Sequence, residues 1–277
     1  MAQKPDSNSQ SYYSKSAFNP KTKRDFTRKG DFYFHWGYNA SWYAKSDLNF
    51  DGPGYAFTLK QVVAHDRPTK FGKKYFDPSQ LTIPQFNFHF GYFIKDNYSI
   101  SIGWDHMKYV MDIPQVVKVE GYINSSISDP AISTGAYAAN YNKQPTTINA
   151  DMLKFEHTDG FNYASTEIER HDDIWVSASK KRYVTLETGI GAGVLLPRTD
   201  VLLFGVGKNN YWNLAGYGFS AKAGIKFYML KKLYLQNSTK VGWTDLTQIH
   251  TTGRNSVDKA SQKISYLENY TVLGFQF

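Results

Sequence analysis

The stretch that decides the fold is the final ten residues, ENYTVLGFQF (268–277). Leu273, Phe275 and Phe277 alternate there with Gly274 and Gln276. Successive side chains of a β-strand point to opposite faces, so the stretch predicts a strand with one apolar, aromatic face. Chain ends usually fray in soluble domains. We therefore expect this face to be anchored, and a membrane interface, where aromatic side chains concentrate, supplies an anchor.

The same alternation recurs along the chain. In DFYFHWGYNASWY (31–43), Phe32, Phe34 and Trp36 share one face, and His35 and Gly37 share the other. A strand of this length crosses a bilayer when it is tilted. About eight such strands are predicted, the others being QFNFHFGYFI (85–94), YSISIGWDHMKYV (98–110), Thr158–Arg170, Arg182–Leu196, Asn213–Met229, Leu233–Asp245 and Ile264–Phe277.

Composition narrows the class of protein. Aromatic residues make up 17% of the chain, yet the mean hydropathy is −0.50. No stretch of 18 apolar residues occurs, which argues against a transmembrane helix.

The chain has no cysteine, which excludes disulfides and thiolate metal sites. The formal charge is +8, but the basic residues are scattered and no nucleic-acid-binding motif is present, so we expect no nucleic-acid partner.

The predicted connections differ in length. Residues 95–97 and 230–232 are short turns, and 171–181 is intermediate. The remaining connections are long: 44–82, 112–157, 197–212 and 246–263. Short turns at one end and long loops at the other are typical of bacterial outer-membrane barrels. We therefore predict an all-β fold, an antiparallel transmembrane β-barrel of about eight strands with short periplasmic turns and long extracellular loops.

Two stretches inside the long loops also look extended, Tyr55–Ala64 and Val116–Ile123. They are either hairpins that project above the membrane or two further barrel strands, which would raise the count to ten. A soluble sandwich or lipocalin-like barrel would also alternate, but it would bury its apolar face inside.

The alternating segments from 31 to 277 and the terminal phenylalanine resemble small bacterial outer-membrane β-barrels of the OmpA, OmpX and PagL architecture. The resemblance implies an integral protein of the bacterial outer membrane. It also implies that the barrel-assembly machinery reads Leu273, Phe275 and Phe277 as a membrane and assembly signal. We expect residues 1–29 to be a disordered periplasmic segment, residues 30–277 to form the barrel, and a signal peptide to have been removed.

A barrel of eight strands is just wide enough for side chains to fill it. Charged residues fall at inferred inward positions, and a buried charge without a partner costs several kcal/mol. The sequence therefore predicts an interior ion network in which neighbouring strands neutralise one another. Its members are Glu167, Glu169, Glu187, Glu268, Lys222, Lys226 and Lys240.

Two motifs near the predicted upper rim carry candidate chemistry. They are WDHMKY, with Asp105, and FEHTDGFNY, with His157 and Asp159. A histidine beside carboxylates can act as a general base. His157, Asp159 and Asp105 are thus the candidate catalytic residues of an acyl hydrolase or transferase acting on lipid A or phospholipid. The match to PagL-like deacylases and PagP-like acyltransferases is poor, since the His-x-Ser pair of the PagL-like enzymes is absent.

The leading hypothesis is a barrel with a closed polar interior that acts as a surface-interaction or anchoring protein, or as a subunit of an outer-membrane complex. The lipid-modifying enzyme and a small channel are the alternatives. Expected partners are outer-membrane lipids, including lipopolysaccharide, the barrel-assembly machinery and other members of such a complex. Lipopolysaccharide phosphates would meet basic residues at the rim: Arg67, Lys70, Lys73, Lys74 and Arg198. No cofactor and no metal site are expected.

Overall fold

A computed structural model describes residues 16–277 except 71, 78, 81, 82, 208–211 and 255. Its strands, numbered in chain order, are β1 (Phe32–Tyr43), β2 (Ser46–Gly52), β3 (Tyr55–Val62), β4 (Ala64–His65), β5 (Phe86–Lys95), β6 (Tyr98–Met111), β7 (Gln115–Ile123), β8 (Ser126–Ile127), β9 (Ile132–Ser133), β10 (Ala139–Ile148), β11 (Leu153–Val176), β12 (Tyr183–Leu195), β13 (Asp200–Leu203), β14 (Gly216–Tyr228), β15 (Leu233–His250) and β16 (Lys259–Gln276). Two single 3-10 turns, Lys73–Tyr75 and Gly135–Tyr137, are the helical elements among the described residues. Within the same residues, no helix has the length and apolar character needed to cross a membrane.

Eight strands close into a ring in the order β1–β5–β6–β11–β12–β14–β15–β16, and β16 pairs back onto β1. Every pairing in the ring is antiparallel. The predicted antiparallel barrel of about eight strands is confirmed. The alternative count of ten is wrong, because Tyr55–Ala64 and Val116–Ile123 fall on β3, β4 and β7, which lie outside the ring.

The wall of the ring is apolar outside and charged inside. Ile102 and Ile190 point outward and are 61% and 68% exposed, whereas Glu187 and Lys240 point inward and are fully buried. A soluble barrel has the opposite arrangement, so the soluble alternative does not hold. An apolar exterior around a polar interior is the arrangement that a barrel needs in lipid.

Aromatic side chains border the apolar wall at both ends. At the short-turn end, where β5 meets β6, the rings of Phe275 and Phe277 stack with centroids 6.1 Å apart. At the opposite, long-loop end, Trp104 and Trp212 lie with centroids 6.0 Å apart. Two aromatic girdles around an apolar band are typical of transmembrane barrels.

Beyond the long-loop end, the barrel continues as a folded extension. The upper end of β16 pairs with β2, and the sheet runs on through β3, β7 and β10. On the other side, β13 pairs with β11 and β4 with β6. Apolar side chains fill the space between them, including Phe50, Phe57, Val119, Phe155 and Leu203. The long loops are therefore largely strands around a core of their own.

Part of the segment that we expected to be disordered is ordered. Residues 1–15 lie outside the described residues, but residues 16–31 pack against the short-turn mouth of the barrel. Arg24 contacts Asp173 at 2.7 Å and Asp96 at 2.9 Å, and the Arg28 backbone amide donates to Asp96 at 2.9 Å. Burial alone would raise the pKa of Asp96, but the charges of Arg24 and Arg28 hold it below its usual value. Ion pairing therefore secures this segment despite its polar composition.

Inside the barrel, tyrosines pack over glycines on neighbouring strands. Tyr266 lies opposite Gly242 in the β15–β16 register, and Tyr234 lies opposite Gly274. A Cβ atom at Gly242 would come within 2.2 Å of Tyr266 Cζ, and one at Gly274 would come within 2.1 Å of Tyr234 Cζ. Both rings are buried and cannot swing into solvent. The glycines make room for the rings that fill the lumen.

We expect Gly242→Val to lower the free energy of unfolding by about 1–3 kcal/mol, because the added side chain overlaps the Tyr266 ring. Urea unfolding in phospholipid vesicles, followed by tryptophan fluorescence, measures the change. Gly72→Val is the matched control, since its Cβ meets nothing closer than 3.9 Å. Equal stability of the two variants would contradict the packing argument.

Candidate functional site

The centre of the lumen holds a cluster of charged side chains around Lys222. Its Nζ lies 2.5 Å from Glu167 Oε2, 3.2 Å from Glu169 Oε1 and 3.2 Å from Glu187 Oε1. Lys226 Nζ lies 2.5 Å from Glu187 Oε2. All five side chains are at most 2% exposed. One ammonium group thus joins carboxylates from β11 and β12.

A second ammonium group extends the cluster toward the long-loop end. Lys240 Nζ on β15 lies 2.8 Å from Glu167 Oε1 and also pairs with Asp105 on β6. His89 Nε2 on β5 lies 3.4 Å from Asp105 Oδ1. Because Glu167 contacts both Lys222 and Lys240, the two halves form one network across the lumen.

Glycines on β12 make space for the network. Gly189 lies opposite Glu169 on one side and Lys222 on the other. A Cβ atom at Gly189 would lie 3.0 Å from Lys222 Cε, and one at Gly191 would lie 2.8 Å from Glu167 Cγ. The run GIGAG (189–193) therefore allows long charged side chains to pass close to the wall.

Glu268 is the network member whose partner differs from the expectation. It lies on the strand that follows Lys240 along the chain, so the sequence predicts neutralisation across these strands, and the β15–β16 register does place the two residues opposite each other. Instead its Oε1 accepts a hydrogen bond of 2.9 Å from Asn87 Nδ2, and Lys240 reaches across the lumen to Asp105 and Glu167. In a narrow barrel, a long side chain can reach a partner on the far wall.

Several polar members of the interior were not in our predicted set. Asn87 also donates to Asp105 at 2.6 Å, and Ser99 Oγ lies 2.7 Å from Glu169 Oε2 and 2.8 Å from His171 Nε2. The sequence predicts that His171 lies in the connection 171–181. The alternation through Glu167 and Glu169 continues to His171, and that pattern was the available signal.

Three of these residues offer atoms that suit a cation. One donor atom each from His89, Asp105 and Glu167 lies within 4.8 Å of the others. Lys240 already contacts both carboxylates, and Lys222 contacts Glu167. The lysines thus supply the positive charge that a metal would bring, and a metal would have to displace them.

The structure does not bring the three candidate catalytic residues together. Asp105 lies in the lumen beside Lys240, opposite Tyr163 of β11, whereas His157 lies opposite Tyr109 in the extension. Four residues of β6 separate these levels, roughly 13 Å along a strand. Asp159 is half-exposed and has Arg198 at 4.0 Å.

His157 is a packed residue of the extension. Its Nδ1 lies 2.9 Å from Thr199 Oγ1, and its ring packs against Tyr109, Phe155 and Phe161. Burial lowers the pKa of His157 to about 3, so the imidazole is neutral. Among the residues that the structure describes, no carboxylate is paired with this ring to orient it as a general base.

The predicted assembly signal lies on the outer wall. Leu273, Phe275 and Phe277 point outward and are 54%, 48% and 49% exposed. The Phe277 amide donates to the Phe32 carbonyl at 2.8 Å, and the Phe32 amide donates back at 2.8 Å. The last residue thus helps to close the barrel while its ring joins the short-turn girdle.

The predicted basic residues lie around the long-loop girdle. Described residues between 66 and 85 contact the outer wall, where Tyr38 Oη donates to the Tyr75 carbonyl at 2.5 Å and Lys108 Nζ donates to the Ile83 carbonyl at 3.2 Å. This stretch carries Lys70, Lys73, Lys74 and Phe76, all exposed. Arg67 pairs with Glu156 at 3.1 Å, and Arg198 lies over the Trp212 ring at 5.7 Å.

Comparisons with known proteins identify no family. No protein-family model matches the sequence, and no curated protein matches it. Among solved structures, it is similar to the outer membrane protein OprG from Pseudomonas aeruginosa, with 9% identity, a TM-score of 0.44, and coverage of 92% of this chain and 99% of that one. The N-terminal barrel domain of Pseudomonas aeruginosa OprF matches at 8% identity and a TM-score of 0.29, covering 90% and 98%. The outer membrane protease OmpT from Escherichia coli matches at 6% identity and 0.30, covering 89% and 97%. On its own geometry, the chain is a β-barrel of the outer-membrane kind.

We expect Lys240→Met to lower the free energy of unfolding by about 3–5 kcal/mol, because it leaves Asp105 and Glu167 short of a buried counter-charge. The double variant Lys240→Met/Asp105→Asn should recover part of that loss. Urea unfolding in phospholipid vesicles measures the free energy of unfolding of the single and the double variant.

The control for this substitution is Lys263→Met. Its side chain is 68% exposed and its Nζ lies 3.7 Å from Asp245 Oδ2, so the expected loss is at most about 1 kcal/mol. If the two substitutions lowered the free energy of unfolding by similar amounts, the buried lysine would contribute no more to stability than an exposed one.

Proposed function

We propose that the protein is an integral barrel of the bacterial outer membrane with a sealed lumen, and that its folded extension serves surface interaction or anchoring, alone or as a subunit of a larger outer-membrane complex. The observation that carries the proposal is the continuity of β16 from the apolar wall into the extension sheet. One strand contributes both to the barrel wall and to the structured part beyond it. The extension is thus held rigidly above the membrane.

A sealed lumen favours this role over that of a channel. Charged side chains fill the middle of the barrel, the apolar core of the extension covers the long-loop end, and Arg24 and Arg28 pack in the short-turn mouth. An eight-stranded barrel has little room beyond its own side chains.

The extension offers a surface for a protein partner. Its last strand, β10, pairs on one side with β7 and forms an edge of the described sheet. Edge strands present unpaired backbone groups to which an extended chain can add. Pro145 and the irregularity between Asn142 and Gln144 limit uncontrolled pairing along this edge.

The outer wall supports contacts with outer-membrane lipids, including lipopolysaccharide. Lys70, Lys73 and Lys74 lie on a segment packed beside the long-loop girdle, and the exposed Phe76 ring lies among them. Basic groups at this level meet lipid phosphates, and an aromatic ring inserts at the interface. The outward ridge of Leu273, Phe275 and Phe277 is likewise available to the barrel-assembly machinery.

We expect the refolded protein to produce no stepwise conductance in planar lipid bilayers, because charged side chains fill the middle of the lumen and packed side chains cover its two ends. A general porin inserted in the same bilayers is the positive control. Discrete conductance steps from protein with the circular dichroism of a folded barrel would overturn the sealed-lumen proposal and favour the channel.

We expect the triple variant Lys70→Ser/Lys73→Ser/Lys74→Ser to bind lipopolysaccharide at least about tenfold more weakly than the native chain, since each basic residue near a lipid surface contributes about 1 kcal/mol. Titration of lipopolysaccharide onto the protein in phospholipid nanodiscs gives the affinity. The matched control, Lys181→Ser/Lys231→Ser/Lys232→Ser, removes the same charge at the short-turn end. If both variants bound lipopolysaccharide equally weakly, the loss of affinity would come from net charge alone, and the proposed binding site would be rejected.

A further inference from the structure

The lipid-facing wall of β15 and β16 is polar at its middle. Asn237 and Thr239 on β15 face Thr271 and Asn269 on β16, respectively, and all four side chains point outward. We call these four residues the polar patch. The interior network lies on the opposite face of the same strands, so these four residues are not part of it.

The polar patch lies between apolar residues of the same two strands. Along β15 it is preceded by Leu235, 45% exposed, and followed by Val241, 53% exposed, with Trp243 of the long-loop girdle beyond. Along β16, Leu267 and Leu273 flank it in the same way. Amide and hydroxyl groups at this depth face hydrocarbon, where unsatisfied polar groups are costly.

The hydrogen bonds within the polar patch leave specific groups facing outward. Asn237 Nδ2 donates to Asn269 Oδ1 at 3.0 Å and to Thr271 Oγ1 at 2.9 Å. Asn269 Nδ2 donates to Asn237 Oδ1 at 3.2 Å and to Thr239 Oγ1 at 3.1 Å. In these bonds both threonine hydroxyls accept, so each still has a hydrogen to donate, and each amide oxygen has a second lone pair.

The wall beside the polar patch carries small side chains opposite Thr239 and Asn269, and larger ones, Ile225 and Tyr38, opposite Asn237 and Thr271. Ala223 on β14 lies opposite Thr239, and Ala40 on β1 lies opposite Asn269. On the far side of the barrel, Ile100 and Ile102 project from β6. Small residues beside polar ones allow two membrane-embedded surfaces to approach closely enough for hydrogen bonds.

We propose that the polar patch is a self-association surface that binds the same patch of a second copy of this chain inside the membrane. The patch carries both donors and acceptors, so a two-fold axis through it places the threonine hydroxyls of one copy against the asparagine oxygens of the other. Lipid tails offer neither group. A second copy therefore satisfies the patch with no additional component.

Cross-linking tests the geometry, since the chain has no cysteine of its own. Ala223→Cys places one thiol beside the polar patch, and Thr166→Cys places one on the lipid face of β11, on the other side of the barrel. In vesicles at a low protein-to-lipid ratio, a short thiol-reactive cross-linker should yield at least tenfold more dimer from Ala223→Cys. Equal yields, or no dimer from either variant, would overturn the proposal.

The hydrogen bonds are tested separately. Adding Asn237→Val/Asn269→Val to Ala223→Cys should lower the dimer yield at least about tenfold, and sedimentation in mild detergent should shift from dimer to monomer. Thr166→Val is the matched control and should change neither measurement. Circular dichroism shows that each variant is folded. A folded double variant that still dimerises like the parent would reject the patch as the contact.

Discussion

A charge placed inside a barrel that lipid surrounds must find a counter-charge or hydrogen-bond partners within that barrel, and this constraint shapes the whole wall. Lys222, Lys226 and Lys240 meet it by contacting carboxylates on β6, β11 and β12. Backbone ladders join each strand only to its neighbours, whereas the β15–β6 contact of Lys240 with Asp105 spans the lumen. The ammonium groups thus tie the ring together from within, and removing one leaves several charges exposed to an apolar surrounding.

The inward charges determine what the other face must be. Because side chains alternate, each strand that contributes Glu167, Glu187 or Lys240 to the lumen presents the residues between them to lipid. Those residues are mostly isoleucine, leucine, valine, alanine and threonine. Asn237 and Asn269 depart from this rule on two adjacent strands at the same level, where chance placement of two amides is costly. The two amides hydrogen-bond to each other across the strands, at 3.0 and 3.2 Å.

Closure of the barrel follows different chemistry at its two ends. At the short-turn mouth, Arg24 and Arg28 bind Asp96 and Asp173, so ion pairs hold a polar segment in place. At the long-loop end, the core around Phe155 and Phe161 excludes water by packing alone, and it buries His157 as a neutral side chain. A histidine in that environment supports the extension.

The sequence by itself determined the antiparallel barrel, the count of about eight strands and the inward side of each strand, because alternation is a local property with a period of two residues. It also placed the seven charged residues of the network on inward positions. Neutralisation between neighbouring strands holds for Glu187 with Lys222 and Lys226, whereas tertiary structure decided the partners of Lys240 and Glu268. Lys240 pairs with Asp105, 135 positions away, and not with Glu268, which lies opposite it, because closure of the ring brings far walls within reach of a long side chain. Tertiary structure likewise separated His157 from Asp105 and bound Arg24 to Asp173, since register and packing across the barrel leave no signature in neighbouring residues.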